Sequence, residues 1–218
     1  MEVSAMTEYH QWFEEHQVER TIKALRKNRF DAEFVPQASD AAGEVFKRIP
    51  EGATVGIGGS ITLSQIGFFE EAKKHPIQLL HPFAPGLSAE EGLRIRREIL
   101  LADVFVASSN AVTEDGKLFN IDGTGNRVAA MTFGPKKVIL VCGVNKIVKD
   151  LEEAERRVRE WVAPMNVKRL GFKNPCAETG QCADCDSPQR ICNIYTVLTK
   201  KPLRTDFTVL LVGEALGF

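Results

Sequence analysis

Thr54-Val55-Gly56-Ile57-Gly58-Gly59-Ser60-Ile61-Thr62 decides the fold class. Thr54 to Ile57 has the apolar, β-branched character of a short buried strand. Gly58-Gly59-Ser60 ends it in a turn, and from Thr62 to Lys74 the apolar residues fall at helical spacing. A strand that passes through a glycine turn into a helix is the unit from which parallel sheets with helices on their faces are built.

The same alternation runs outward in both directions. Upstream, Phe13, Val18, Ile22 and Leu25 recur at helical spacing within residues 7–29, Phe30 to Val35 reads as a strand stopped by Pro36, and Ala38 to Ile49 reads as a helix with Ala42, Val45, Phe46 and Ile49 on its apolar face. Downstream, His75-Pro76 breaks the helix and Ile77 to Leu80 supplies a strand. Ser88-Ala89-Glu90-Glu91 then has the capping-box pattern at the head of a helix to Leu101. Asp103 to Ala107 is a strand, Thr113-Glu114-Asp115-Gly116 a hairpin turn, and Lys136 to Cys142 a central strand. Lys149 to Val162 is helical with Pro164 as its stop, and Phe207 to Gly213 is the last strand. The expected architecture is α/β, a mostly parallel sheet covered on both faces.

The chain of 218 residues, 44% hydrophobic and 26% charged, suits one domain over 1–218, with residues 174–193 as a cysteine-rich segment within it. With 28 basic and 29 acidic residues, no global field draws it to nucleic acid or anionic lipid, so a small molecule or a protein partner is expected. The stretch from Met1 to Glu8 lacks a basic region followed by an apolar one, and no apolar run reaches membrane-spanning length. A cytoplasmic, reducing compartment is expected, in which thiols stay free or bind metal.

Four such thiols stand in the spacing Cys176-x5-Cys182-x2-Cys185-x6-Cys192, within a segment poor in large apolar side chains. A metal on four thiolates would supply folding energy that burial cannot. Structural zinc usually takes two close ligand pairs, whereas only one pair is close here, which favours an iron–sulfur cluster of the 4Fe-4S type. Zinc is the alternative, and a free-thiol or disulfide loop the third reading. Cys142, inside Val138-Ile139-Leu140-Val141-Cys142, reads as a packed core thiol. His10, His16, His75 and His81 form no spaced ligand set.

Two polar loops are candidate ligand sites. In the glycine turn, backbone N–H groups around Gly58, Gly59, Ser60 and Thr62 suit phosphate or carboxylate, although glycines that merely permit a turn explain them too. In Asn120-Ile121-Asp122-Gly123-Thr124-Gly125-Asn126-Arg127, the residues Asn120, Asp122, Thr124, Asn126 and Arg127 could fix an anionic or hydroxylated ligand. Arg127 would offer a planar fork to a carboxylate. The plainer reading makes this loop a helix cap. Lys146 lies just beyond the central strand near the same sheet edge.

Val55-Gly56-Ile57-Gly58-Gly59-Ser60, Ala102-Asp103-Val104-Phe105-Val106-Ala107-Ser108-Ser109-Asn110-Ala111-Val112, Gly125-Asn126-Arg127 and Asn145-Lys146-Ile147-Val148 together resemble the LUD domain family of lactate-utilisation proteins, the LutC-like group. The resemblance implies a NagB/RpiA/CoA-transferase-like fold, a three-layer α/β/α sandwich, and a connection with oxidation of lactate to pyruvate. The cysteine segment resembles an extension found in one branch of that family. The expected function is therefore redox-associated binding of a small carboxylate such as lactate, with an electron-transfer protein as partner and self-association into a homo-oligomer left open. Two alternatives stand beside it: a non-catalytic assembly subunit with structural zinc or cluster, and a sugar-phosphate isomerase-like enzyme or sensor of a phosphorylated small molecule. Ser108-Ser109-Asn110 offers no carboxylate where an isomerase of this superfamily places its acid, and Glu114 or Asp122 sits in no nucleophile motif.

Overall fold

The computed structural model describes residues 2–218; Met1, where the N-terminal stretch read for a leader begins, lies outside them. Helix α1 (Glu2–Lys27) leads into β1 (Asp31–Val35), α2 (Ala38–Phe46), β2 (Thr54–Ile57), α3 (Ile61–Gln65), α4 (Phe68–Ala72), β3 (Gln78–Leu80) and α5 (Ala89–Glu98). There follow β4 (Val104–Ala107), β5 (Ala111–Thr113), β6 (Leu118–Asp122), α6 (Asn126–Thr132), β7 (Lys137–Gly143), β8 (Ile147–Val148) and α7 (Leu151–Arg157). Beyond these stand α8 (Ala163–Arg169), α9 (Pro175–Thr179), β9 (Ile194–Leu198) and β10 (Asp206–Val212).

Six strands form one parallel sheet in the order β1-β10-β7-β4-β2-β3. Its side chains alternate with the strand period of two. From β7, Val138, Leu140 and Cys142 join a core with Val18, Ile22 and Leu25 of α1, while Ile139 and Val141 join Val45 and Phe46 of α2, Leu63 of α3 and Phe68 of α4 on the opposite face. In β10, Phe207, Val209 and Leu211 face one side, and Leu210 and Val212 the other. Burying a side chain of this size stabilises the fold by about 1.5–3 kcal/mol, so helices on both faces are needed to cover what the strands expose. The three-layer α/β architecture expected from the sequence is present.

A second sheet in the order β8-β5-β6-β9 stands beside the first. The expected hairpin is its centre, with β5 and β6 antiparallel around the Thr113–Gly116 turn. Val112, Leu118, Ile147 and Leu198 turn toward the α1 side of the main core; Ala111, Phe119, Ile121 and Val148 pack on Ala154 of α7, Val158, Val162 and Ala163. This sheet was not legible beyond the hairpin. Strand β8, though buried, is two residues long and too short to show a period, and β9 leaves Ile194, Tyr195 and Val197 exposed, so it carries no buried-strand pattern.

Two helix expectations change. The stretch from Thr62 to Lys74 is split into α3 and α4 by Gly67, whose φ of +73° lies in the left-handed region. Pro164 does not end the helix that begins at Leu151: a π turn over Val158–Val162, with Ala163 N–H donating to the Val158 carbonyl, leads directly into α8. The widened turn relieves the clash between the proline ring and the preceding turn. The capping box forms as expected, Ser88 Oγ accepting from Glu91 N–H at 3.2 Å and Ser88 N–H donating to Glu91 Oε2 at 2.8 Å. Among the described residues, no helix is long and apolar enough to cross a membrane.

Candidate functional site

Parallel strands bring all their carboxyl ends to one edge, and there β2, β4 and β7 run side by side. Gly58 follows β2, Ser108 follows β4, and the 3₁₀ turn Val144–Lys146 follows β7. Lys146 is turned inward and only 4% exposed. Its ammonium donates to Ser108 Oγ at 2.8 Å and to Thr62 Oγ1 at 3.2 Å. Among the described residues it has no carboxylate partner. Burial lowers its pKa from 10.5 to about 8; the Cys142 sulfur opposes that shift, and the nearby Arg157 and Arg127 cations add to it.

Those two arginines belong to a polar knot between the sheets. Arg127 donates from one terminal nitrogen to the Ser108 carbonyl at 3.1 Å and to Asn120 Oδ1 at 2.6 Å, and from the other to Asn110 Oδ1 at 2.8 Å and the Ile121 carbonyl at 2.5 Å. Its fork therefore binds the protein's own acceptors, and what it offers a ligand is charge. Arg157 donates to the carbonyls of Asn110, at 3.3 Å, and Asn145, at 3.0 Å. Burial lowers the pKa of both arginines. Neither forms an ion pair among the described residues.

The structure brings Gly58, Thr62, Asn120, Arg127 and Lys146 together. A Cβ on Gly58 would stand 3.3 Å from Arg127 Cδ, so the glycine turn and the polar loop abut. Asp122 instead caps α6, accepting from the N–H groups of Thr124, Gly125, Arg127 and Val128. Gly59 packs on the Phe83 ring, the Ser60 side chain makes no cap bond, and those of Thr124 and Asn126 make no hydrogen bond among the described residues. Ser108, Asn110 and Arg157 were not singled out as ligand residues. The available signal was positional, since Ser108-Ser109-Asn110 directly follows a buried strand at the edge where open α/β sheets take ligands.

A strap over residues 213–218 closes this edge. Leu216 N–H donates to Asn145 Oδ1 at 3.0 Å, Gly217 N–H donates to Gln65 Oε1 at 2.6 Å, and a Cβ on Gly217 would lie 3.1 Å from Lys146 Nζ. Gly143 permits the approach, because a Cβ there would stand 2.5 Å from Leu216 N. An open concavity of about 620 Å³ lies elsewhere, between β1, α2 and α4; of its acids, Glu33, Glu44, Glu70 and Glu71 are already paired with Arg48, Lys47, Lys73 and Lys74.

A family model described as the LUD domain matches residues 18–212. The chain belongs to the LUD domain family. A solved structure of a duf162 family protein from Deinococcus radiodurans is similar over 92% of this chain and 98% of that one, with 15% identity and a TM-score of 0.55, a likeness of fold. The tetrameric eIF2B-beta2-delta2 complex from C. thermophilum matches over 83% of this chain and 55% of that chain at 16% identity and a TM-score of 0.42. Ribose 5 phosphate isomerase A from Neisseria gonorrhoeae matches over 56% and 62% at 20% identity and a TM-score of 0.34. No curated protein matches the chain.

In this LUD domain the cysteine segment is pinned directly behind the polar loop. Asn193 N–H donates to the Asp122 carbonyl at 3.2 Å, and Asn193 Nδ2 to the Gly123 carbonyl at 3.0 Å. Within the segment, Arg190 donates to the carbonyl of Cys185 at 2.6 Å, to that of Cys192 at 3.3 Å and to Asp184 Oδ1 at 2.8 Å. Cys176, Cys182, Cys185 and Cys192 are free and half-buried. Burial raises the pKa of Cys176 and of Cys192, and neighbouring cysteines add to both shifts. Among the described residues, no three His, Cys, Asp or Glu side chains gather closely enough to hold one ion. A single zinc at about 2.3 Å from each sulfur would need its thiolates about 3.8 Å apart. An iron–sulfur cube holds its thiolates further apart and takes four soft sulfur donors, the donor type these cysteines offer.

Proposed function

We propose that this LUD domain binds a small carboxylate, lactate or a related 2-hydroxy acid, at the sheet edge beside Lys146, and that Cys176, Cys182, Cys185 and Cys192 hold an iron–sulfur cluster. The observation that carries the reading is a buried ammonium flanked by two partly buried guanidiniums, none of the three in an ion pair among the described residues, with Asp122 the one carboxylate whose charge reaches Arg127. Such a charge is costly to bury unless an anion completes it. The Ser108 and Thr62 hydroxyls, which accept from the Lys146 ammonium, are the groups that would orient a hydroxyl or carboxylate oxygen of the ligand. An iron–sulfur cluster supplies one-electron transfer when bound, while oxidation of lactate to pyruvate releases two electrons, so an electron-accepting protein completes the proposed system. The attachment of Asn193 to the Asp122 loop ties the two regions mechanically.

Protein purified without oxygen is expected to contain iron and acid-labile sulfide, with a broad visible absorption. Cys185→Ser should lose both and loosen residues 174–193; unchanged metal content would reject the ligand set. Lactate at one hundred times its dissociation constant should stabilise the fold by about 2.7 kcal/mol, raising Tm by about 5–10 °C for a chain of this size. If lactate and related hydroxy acids leave Tm unmoved while phosphorylated sugars raise it, the carboxylate reading fails.

A further inference from the structure

We propose that Ser108 and Lys146 form a nucleophile–base pair for acyl transfer, in which Ser108 Oγ, 2.8 Å from Lys146 Nζ, attacks the carbonyl carbon of an activated acyl group, an ester or thioester. This goes beyond carboxylate binding, and it stands on three features of the geometry. The amine and the hydroxyl are already within proton-transfer distance. Thr62 Oγ1, 3.2 Å from the same nitrogen, orients the base as a third member. The pair also lies at the carboxyl ends of β4 and β7, where a ligand reaches an open parallel sheet.

The chemistry of the amine agrees. With its pKa lowered to about 8, about one Lys146 in ten is neutral at pH 7, against roughly one in a few thousand for a solvated lysine. The knot that binds the Ser108 carbonyl also holds a donor with nothing to donate to. Asn120 is fully buried and its Nδ2 has no partner. Its amide cannot be reversed, because Oδ1 already accepts from Arg127 and from Asn110 N–H at 3.2 Å. Arg127 links this residue to Ser108 by bonding the Ser108 carbonyl as well. The proposed reaction assigns this unsatisfied amide as the donor to the developing oxyanion.

In the step itself, the Ser108 Oγ–C bond forms as the Oγ proton passes to neutral Lys146 Nζ. The bond from the acyl carbon to the leaving oxygen or sulfur then breaks, and the leaving group takes the proton from Lys146. Water then attacks the acyl-serine as Lys146 accepts its proton, the Ser108 Oγ–C bond breaks, and Lys146 returns that proton to Ser108 Oγ, so atoms and charge balance without a redox partner and the pair is restored.

The test uses the full chain and p-nitrophenyl acetate. A burst of p-nitrophenolate and an acetyl group mapped by mass spectrometry to Ser108 are expected. The burst rate should rise tenfold per pH unit below about 8 and level off above it. Lys146→Gln should slow acylation by about 10²–10⁴-fold and remove the pH step, and Ser108→Ala should abolish the adduct. Leu216→Ala, which loosens the strap, serves as the access control and should speed acylation. Absence of an acetyl group on Ser108 in both wild type and Leu216→Ala across pH 6–9.5 overturns the proposal, as does acetylation of Lys146 with Ser108 untouched. Acylation that lactate slows supports both this pair and the carboxylate site; acylation that lactate leaves unchanged supports the pair and counts against lactate as the ligand.

Discussion

Lys146→Met tests the central electrostatic claim. The fall of the Lys146 pKa from 10.5 to about 8 corresponds, at about 1.4 kcal/mol per pH unit, to roughly 3 kcal/mol by which the fold disfavours the ammonium. Methionine fills a similar volume without the charge, and it leaves the Thr62 and Ser108 hydroxyls short of a donor, at a cost of about 1 kcal/mol each. The variant should therefore be more stable than wild type at pH 7 by about 1–2 kcal/mol, or about 2–8 °C in Tm. Because the folded pKa lies below the unfolded one, both states are protonated below about pH 8 and the penalty is complete there. Between about 8 and 10.5 the unfolded chain holds the extra proton, so wild-type stability rises with pH and the advantage of the variant vanishes. Urea unfolding of both proteins from pH 6.5 to 10.5 reads this directly, since other groups cancel in the difference. A variant less stable at pH 7, or a gap constant across the range, would refute the reasoning.

Asp122→Ala removes the acceptor of four backbone N–H groups at the head of α6, so a loss of about 1–2 kcal/mol is expected, read as a lower urea midpoint. Equal midpoints would mean that the cap is not what holds the loop. Arg190→Ala frees the carbonyls of Cys185 and Cys192 and should reduce iron per chain while leaving the melting of the α/β core within a few degrees; full iron retention would contradict its positioning role. Gly217→Val places a side chain against Thr62 and Lys146, and faster hydrogen exchange at the amides of Leu216 and Gly217 should report a displaced strap.

The parallel sheet was readable because its strands advertise themselves twice, by β-branched runs such as Val104–Ala107 and Lys137–Gly143 and by the glycine turn after Ile57. The second sheet was hidden because β9 is held by pairing with β6 rather than by burial, so Ile194, Tyr195 and Val197 carry no inward pattern. At the site, Lys146, Arg127 and Asn120 were legible as polar residues flanking strands. Their assignments were not, because whether a guanidinium meets a ligand or four internal acceptors depends on Asn110 and Ser108, which are distant in sequence and meet it only after folding. Asp122 likewise reads equally as a ligand or a cap until the N–H groups of α6 are placed around it. The cysteines were legible as a group from spacing alone, whereas their attachment to the Asp122 loop through Asn193 was not.

The strap has a kinetic consequence. Leu216 and Gly217 are hydrogen-bonded across the edge that holds Lys146, so a ligand entering past them waits for a local opening that it does not itself accelerate. Observed association rates in stopped flow should then reach one ceiling, common to ligands of different chemistry and set by how often the latch lifts. Rates that climb without limit as concentration rises would show that the edge is entered from another side.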